Sequence, residues 1–199
     1  MKKLSFASGH HSGMQNFQHY SSPLGGITLA SDGEALTGLW FDGQKHFGEN
    51  LCGESSDCEL EGVGRNGRAE DGFSAARKWL DIYFSGREPD FTPPVKLTGT
   101  PFRQAVWEAL LSIPYGQTVT YGQLAARIGL PKGAARAVGG AVGRNPVSLI
   151  VPCHRVNGTG GNLTGYAAGL ERKLRLLRLE SSSSSSTESE QEPGKASNR

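Results

Sequence analysis

Residues 145–156 read NPVSLIVPCHRV, and no other stretch constrains the fold as strongly. Residues 147–151 form an apolar run of Val, Leu and Ile with the length and composition of a buried strand. Pro152 stops the run, because proline supplies no N–H to a sheet ladder. Cys153, His154 and Arg155 follow directly. A thiol carried at the end of a rigid element, beside an imidazole and a guanidinium, is placed for nucleophilic chemistry. A single buried cysteine also serves readily as a small apolar core residue. The Cys-His neighbour pair by itself leaves both readings open.

Charge is divided unevenly around this stretch. Residues 1–97 carry a net charge of −4, residues 98–180 carry +7 and residues 181–199 carry −1. The segment holding Cys153 is therefore the basic one. It is expected to meet an anionic partner, with nucleic acid the leading candidate and a merely solvated basic surface the alternative. At 199 residues the chain can form one or two small domains with a real core. Its cysteines, Cys52, Cys58 and Cys153, form no even disulfide framework. No N-terminal apolar run resembles a signal peptide, and no stretch approaches the length of a membrane span. These features predict a cytoplasmic protein with no membrane attachment, in a compartment where a thiol stays reduced. No histidines stand around Cys52 and Cys58 at zinc-finger spacing, so no metal site is expected there.

In chain order, residues 1–18 are polar and read as a flexible start that includes His10 and His11. From Tyr20 the pattern turns to β, with strands over 27–30 and 36–41 separated by turn residues. Residues 49–72 are dense in Gly, Glu, Asp and Ser and read as a long mobile loop. Phe73, Ala76, Leu80 and Phe84 then recur at helical spacing. Residues 87–99, with three prolines, read as an extended linker.

A second domain opens at Thr100-Pro101, an N-cap followed by proline at the first helical position. Phe102, Val106, Leu110 and Ile113 give its core stripe. Thr120 can cap a helix over 121–128, and a third helix runs over about 134–143, giving the outline of a helix-turn-helix. This third helix, AARAVGGAVG, consists of small residues around one long charged side chain, Arg136. Its glycines cost helix stability but allow close approach to another surface. That surface is its own core on one face and, in a basic domain, nucleic acid on the other. After a Gly/Thr/Asn loop, a last helix over 170–180 places Leu170, Leu174 and Leu177 on the core, with Arg172, Lys173, Arg175 and Arg178 in solvent. The serines and acidic residues of 181–199 read as a disordered tail.

Taken together, these segments resemble the O6-alkylguanine-DNA alkyltransferases. The resemblance rests on Pro152-Cys153-His154-Arg155-Val156 preceded by Asn145-Pro146. Val119-Thr120-Tyr121, the helix from Ala134 to Gly139, Tyr166 and Gly169-Leu170 extend it. A looser match covers Ser22-Pro23-Leu24-Gly25 and Leu36-Thr37-Gly38-Leu39. It implies an α/β chain with a small ribonuclease H-like sheet-plus-helix domain over 19–97. A winged helix-turn-helix alkyltransferase domain over 98–180 follows.

The resemblance also implies a chemistry. Double-stranded DNA carrying alkylated guanine or thymine is bound through the minor groove, where sequence is poorly read and damage in any context can be met. The damaged nucleotide is flipped into a pocket. Arg136 fills the stack in its place, Ala134, Ala135 and Gly139 let the helix approach, and Tyr121 helps rotate the nucleotide. Cys153 takes the alkyl group from O6 of guanine, and less well from O4 of thymine, in a single suicidal transfer. His154 acts as base through a water, Glu180 orients the imidazole, and Asn145 braces the turn carrying the cysteine. Arg155 has a structural ion-pair role. Val156, Tyr166, Ala167 and Ala168 wall the substrate pocket. No cofactor and no zinc are expected, and the protein acts as a monomer, associated with the nucleoid if bacterial. Three rivals are weaker. A damage-binding relative lacks the reactive cysteine, a transcription regulator needs base-reading side chains on its helix, and a cysteine hydrolase leaves Arg136 unexplained.

Overall fold

The structure is a computed structural model that describes residues 4–7, 15–51 and 70–184. The first half builds a five-stranded mixed sheet from β1 (Leu4–Ala7), β2 (Asn16–Ser22), β3 (Gly25–Ser31), β4 (Leu36–Phe41) and β5 (Val95–Thr98). The order is β1-β5-β4-β3-β2, with the β2–β3–β4 meander antiparallel and β5 parallel to both its neighbours. The β2–β3 turn runs through Pro23-Leu24 into Gly25, whose φ of 110° suits glycine alone. β4 is buried along its whole length, so it reads as apolar and small residues without alternation. α1 (Glu70–Phe84) packs on the sheet through Phe73, Ala76, Trp79, Leu80 and Tyr83.

The second half holds α2 (Pro101–Leu111), β6 (Val119–Thr120), α3 (Tyr121–Arg127), α4 (Ala135–Gly143), β7 (Val156–Asn157) and α5 (Leu170–Ser184). Thr100 caps α2 by accepting the Arg103 N–H. At α3 a full capping box forms. Thr120 accepts the Gln123 N–H at 3.2 Å, and Gln123 Oε1 accepts the Thr120 N–H at 2.7 Å. A 3-10 turn, Lys132–Ala134, leads into α4. β6 and β7 pair in parallel beside this helix-turn-helix. The Trp107 indole donates to Ala141 O at 2.9 Å and ties α2 to α4. Its ring occupies the space a side chain at residue 99 would need, which restricts that position to Gly99.

One core runs through both halves. The join lies at β4, where the Leu39 N–H donates to Pro146 O and the Ser148 N–H donates to Leu39 O, each at 2.9 Å.

Several expectations change. The start over 1–18 is not flexible throughout: residues 4–7 form an edge strand, and β2 begins at Asn16. Both are held by ladder bonds to neighbouring strands, which polar composition does not report. The linker over 87–99 ends in β5, a strand inside the sheet. Its prolines precede the strand, where no ladder N–H is needed. Residues 147–151 are buried but are not a strand. Only Val147 makes a bridge, after which the chain coils through tight turns with Leu149 at a φ of 71°. Phe102 is 39% exposed, and Trp107 takes its place in the α2 core face. α5 continues through Ser184, into the segment read as a disordered tail. Its buried face is Lys173, Leu176 and Glu180, while Leu170 is exposed. The loop reading over 52–69, Cys52, Cys58, His10, His11 and the tail beyond Ser184 lie outside the described residues. Among the described residues no helix is long and apolar enough to cross a membrane.

The capping box supports the turn that carries Tyr121. Thr120→Ala is expected to lower folding stability by about 1 kcal/mol, read from the midpoint of urea unfolding. An unchanged midpoint would show that the box contributes nothing.

Candidate active site

Cys153 opens a 3-10 turn, Cys153–Arg155, that immediately follows the coiled 147–151 segment. Asn145 holds this coil together. Its Oδ1 accepts the Val147 N–H at 3.0 Å. Its Nδ2 donates to Val151 O at 2.8 Å and to the Cys153 sulfur at 3.2 Å. A side-chain amide that satisfies backbone groups in this way offers the chain an alternative to the sheet ladder, which is why the apolar run coils. Cys153 is buried. Burial pushes its thiol above the ordinary value, while the Asn145 bond and the Lys173 charge pull it back.

His154 and Glu180 have no exposed side-chain surface. The His154 Nε2–H donates to Glu180 Oε1 at 2.7 Å, and Nδ1 has no hydrogen-bond partner among the described residues. The carboxylate fixes the tautomer, since Nε2 must carry the proton to donate. Arg155 closes on the same carboxylate with two bonds, Nε to Oε2 at 2.9 Å and Nη2 to Oε1 at 3.0 Å. Arg155 also donates to Ile113 O at 2.8 Å. The Gly116 N–H donates to Glu180 Oε2 at 3.1 Å, and the Tyr83 hydroxyl donates to Oε1 at 2.8 Å. Burial alone would favour the neutral acid, but these donors and charges outweigh it and hold Glu180 below the usual carboxylate range. Burial lowers His154 below the ordinary imidazole value of 6.5 against the pull of Glu180, so the ring is neutral at rest.

Around the thiol, Tyr121 donates to the carbonyls of Thr164 and Gly165 at 3.4 and 3.3 Å. Burial and then the charge of Cys153 raise its phenol, which keeps its proton. The Tyr166 ring stands edge-on to His154 at 6.4 Å, and its buried hydroxyl has no partner among the described residues. Val156 is fully buried in β7, Ala168 is buried and Ala167 half-buried. The Ala167 carbonyl accepts the Lys45 N–H from the first half at 3.0 Å.

On α4, Arg136, Ala137 and Gly140 are exposed, whereas Val138, Ala141 and Val142 face the core. Ala134 packs partly against that core, and Ala135 is half-buried. A methyl group added at Gly139 would lie 3.6 Å from the Tyr121 ring. Ala134 therefore serves helix packing, whereas 3.6 Å is ordinary van der Waals contact, so packing against Tyr121 does not by itself require glycine at 139.

Two side chains at the site escaped the sequence reading. Tyr83 lies on α1, one residue before the Phe84 assigned to the core face, and its hydroxyl reaches Glu180 from the first half. Lys173 was placed in solvent, the default for lysine, yet it is fully buried. It donates to the carbonyls of Val156 and Thr164. Burial pulls its ammonium down to about 8, opposed by the charge of Cys153. Its signal was the spacing 173–176–180, which puts it on one helical face with Leu176 and Glu180.

Known proteins resemble this chain in sequence and fold. The family model described as 6-O-methylguanine DNA methyltransferase, ribonuclease-like domain, matches residues 17–97. The one described as 6-O-methylguanine DNA methyltransferase, DNA binding domain, matches residues 101–182. A methylated-DNA–protein-cysteine methyltransferase of Mycobacterium leprae is 45% identical over 159 residues, which span 80% of this chain and 88% of the relative. One from Haemophilus influenzae is 41% identical, spanning 82% of this chain and 85% of the relative. The crystal structure of Mycobacterium tuberculosis OGT in complex with DNA superposes with a TM-score of 0.72 at 44% identity, covering 84% of this chain and 93% of that one. With both halves matched in order and the relatives covered over most of their length, the chain belongs to the 6-O-methylguanine DNA methyltransferases, the methylated-DNA–protein-cysteine methyltransferase family.

Proposed function

We propose that this chain repairs alkylated DNA directly, moving the alkyl group from O6 of guanine, and less well from O4 of thymine, to Cys153. The observation that carries the reading is the buried set Cys153, His154 and Glu180 in the same half of the chain as a helix of small residues on which Arg136 is exposed. A neutral imidazole whose Nε2 is committed to a carboxylate has Nδ1 available as a base. A water between Nδ1 and the thiol carries the proton from sulfur to the ring. Sulfur then attacks the alkyl carbon in line, and the carbon–O6 bond breaks. The guanine leaves as an anion that takes a proton from the Tyr121 hydroxyl, and the imidazolium's proton makes good that loss through the site. The products are guanine and S-alkylcysteine. Nothing in the reaction converts the thioether back to the thiol, so each chain acts once.

The nucleotide reaches the thiol only after leaving the stack, which costs roughly a few kcal/mol. Arg136 offsets this by entering the minor-groove side of the duplex in place of the flipped base. Ala134, Ala135 and Gly139 allow the helix backbone to approach, and the basic second segment supplies the field that attracts DNA. Val156, Tyr166, Ala167 and Ala168 enclose the base. The protein works as a monomer in the cytoplasm, on the nucleoid if the cell is bacterial, where its thiol stays reduced.

Arg136→Ala is expected to slow repair of O6-methylguanine in duplex DNA by at least about tenfold more than it slows reaction with free O6-alkylguanine base. Loss of lesion from each substrate, followed by chromatography, reads the difference, and equal slowing of both reactions contradicts the insertion role. Transfer needs His154 neutral, and burial holds its proton affinity down. The rate on duplex should therefore stay on its plateau as pH falls toward 6.5 and drop only below that value. An acid limb centred above 6.5 would mean that His154 is not the base.

A further inference from the structure

We propose that Tyr83 is a positioning residue for the transfer reaction, sharing Glu180 Oε1 with the imidazole and thereby setting how strongly the carboxylate holds a proton on His154. The inference rests on the reading of His154 as the base. Tyr83 belongs to α1 in the ribonuclease-like half, and none of the motif residues around Cys153 points to it. Its hydroxyl lies 2.8 Å from Glu180 Oε1 and 3.3 Å from His154 Nε2. Its ring stands edge-on to the imidazole at 6.3 Å. The ring is itself fixed, stacked on Trp79 at 5.1 Å and edge-on to Tyr115 at 6.0 Å.

The donor assignments follow from chemistry. Glu180 is ionised and only accepts, so the proton between Tyr83 and Oε1 belongs to the phenol. Burial and the neighbouring carboxylate push that phenol well above its ordinary value, so it stays protonated. Oε1 thus receives the Tyr83 O–H, the His154 Nε2–H and the Arg155 Nη2–H. Each further donor spreads the carboxylate's charge and weakens its stabilisation of the imidazolium that forms when Nδ1 takes up a proton. His154 is faced by Glu180 and Lys173 from α5, by Cys153 and Arg155 from its own turn, by Tyr166 from the preceding loop and by Tyr83 from α1. Of these, Glu180 favours a charged ring while the Cys153 thiol keeps its proton, and Tyr83 moderates it. Without that moderation the ring would hold a proton over a wider pH range and would be lost as a base. The first half therefore contributes a hydroxyl to the chemistry as well as a scaffold.

The test uses the full chain carrying Tyr83→Phe, with the His154 titration followed by NMR of its labelled ring. Removing one donor to the carboxylate is expected to raise the midpoint by about one pH unit. The acid limb of the transfer rate should move up equally, with a plateau lowered by no more than about tenfold. A second variant with 3-fluorotyrosine at position 83 keeps the ring and strengthens the donor, so it should move the midpoint down. It also answers the question if the phenylalanine variant fails to fold. Slower transfer with an unmoved His154 midpoint in both variants would reduce Tyr83 to packing and overturn the proposal. A chain that never transfers an alkyl group, yet shows the shifted midpoints, would instead overturn the functional reading and leave the Tyr83 coupling intact.

Discussion

A carboxylate with no exposed surface stays ionised only when nearly every lone pair on it is met, because desolvating an isolated charge costs several kcal/mol. Glu180 meets that demand with donors drawn from three parts of the chain: Tyr83 on α1, Gly116 between α2 and β6, and His154 and Arg155 on the cysteine turn. α5 brings the acid itself. Removing Arg155 strips the buried carboxylate of its compensating charge, a change that typically costs about 3–5 kcal/mol. The two halves of the molecule, the last helix and the reactive turn are therefore tied to one group. Its charge also fixes the tautomer of His154, as the role proposed for that residue requires.

The reactive turn has a second organiser in Asn145. One amide satisfies the backbone on both sides of the coil and reaches the sulfur of Cys153. The coil includes Leu149 in the left-handed region, buried, an arrangement costing about 1–3 kcal/mol that only a well-determined surrounding can hold. The surroundings that hold this residue also hold the adjoining Cys153 turn, through the Asn145 amide. The β4 bridge to Pro146 and Ser148 anchors the coil to the sheet. The ribonuclease-like half thus supports the site from behind at two places, through β4 and through Tyr83.

Much of this could be read in the sequence where local chemistry decides structure. The caps Thr100 and Thr120, the turn at Pro23-Leu24 and the strand from Leu36 carry their signals within a few residues. The motif around Cys153 brought His154, Asn145, Glu180 and Tyr121 together through its family resemblance. What escaped depends on distant partners. Residues 147–151 look like a strand because burial, not ladder pairing, is what an apolar run reports, and the Asn145 amide that coils them is indistinguishable from any loop asparagine. Lys173 was assigned to solvent because lysine is rarely fully buried. Only the carbonyls of Val156 and Thr164, far away in sequence, make its burial tolerable. Tyr83 shows the same limit: its ring fits any core, and its hydroxyl has meaning only once Glu180 is in place.

Under the proposed function, this machinery delivers one alkyl group to one sulfur. Intact-protein mass spectrometry with peptide mapping, after incubation with excess duplex carrying a single O6-methylguanine, tests it most directly. A gain of one methyl group, located on Cys153 and saturating at one per chain, is expected. Lesion removal that continues past one equivalent, or a methyl group on any other residue, would contradict it.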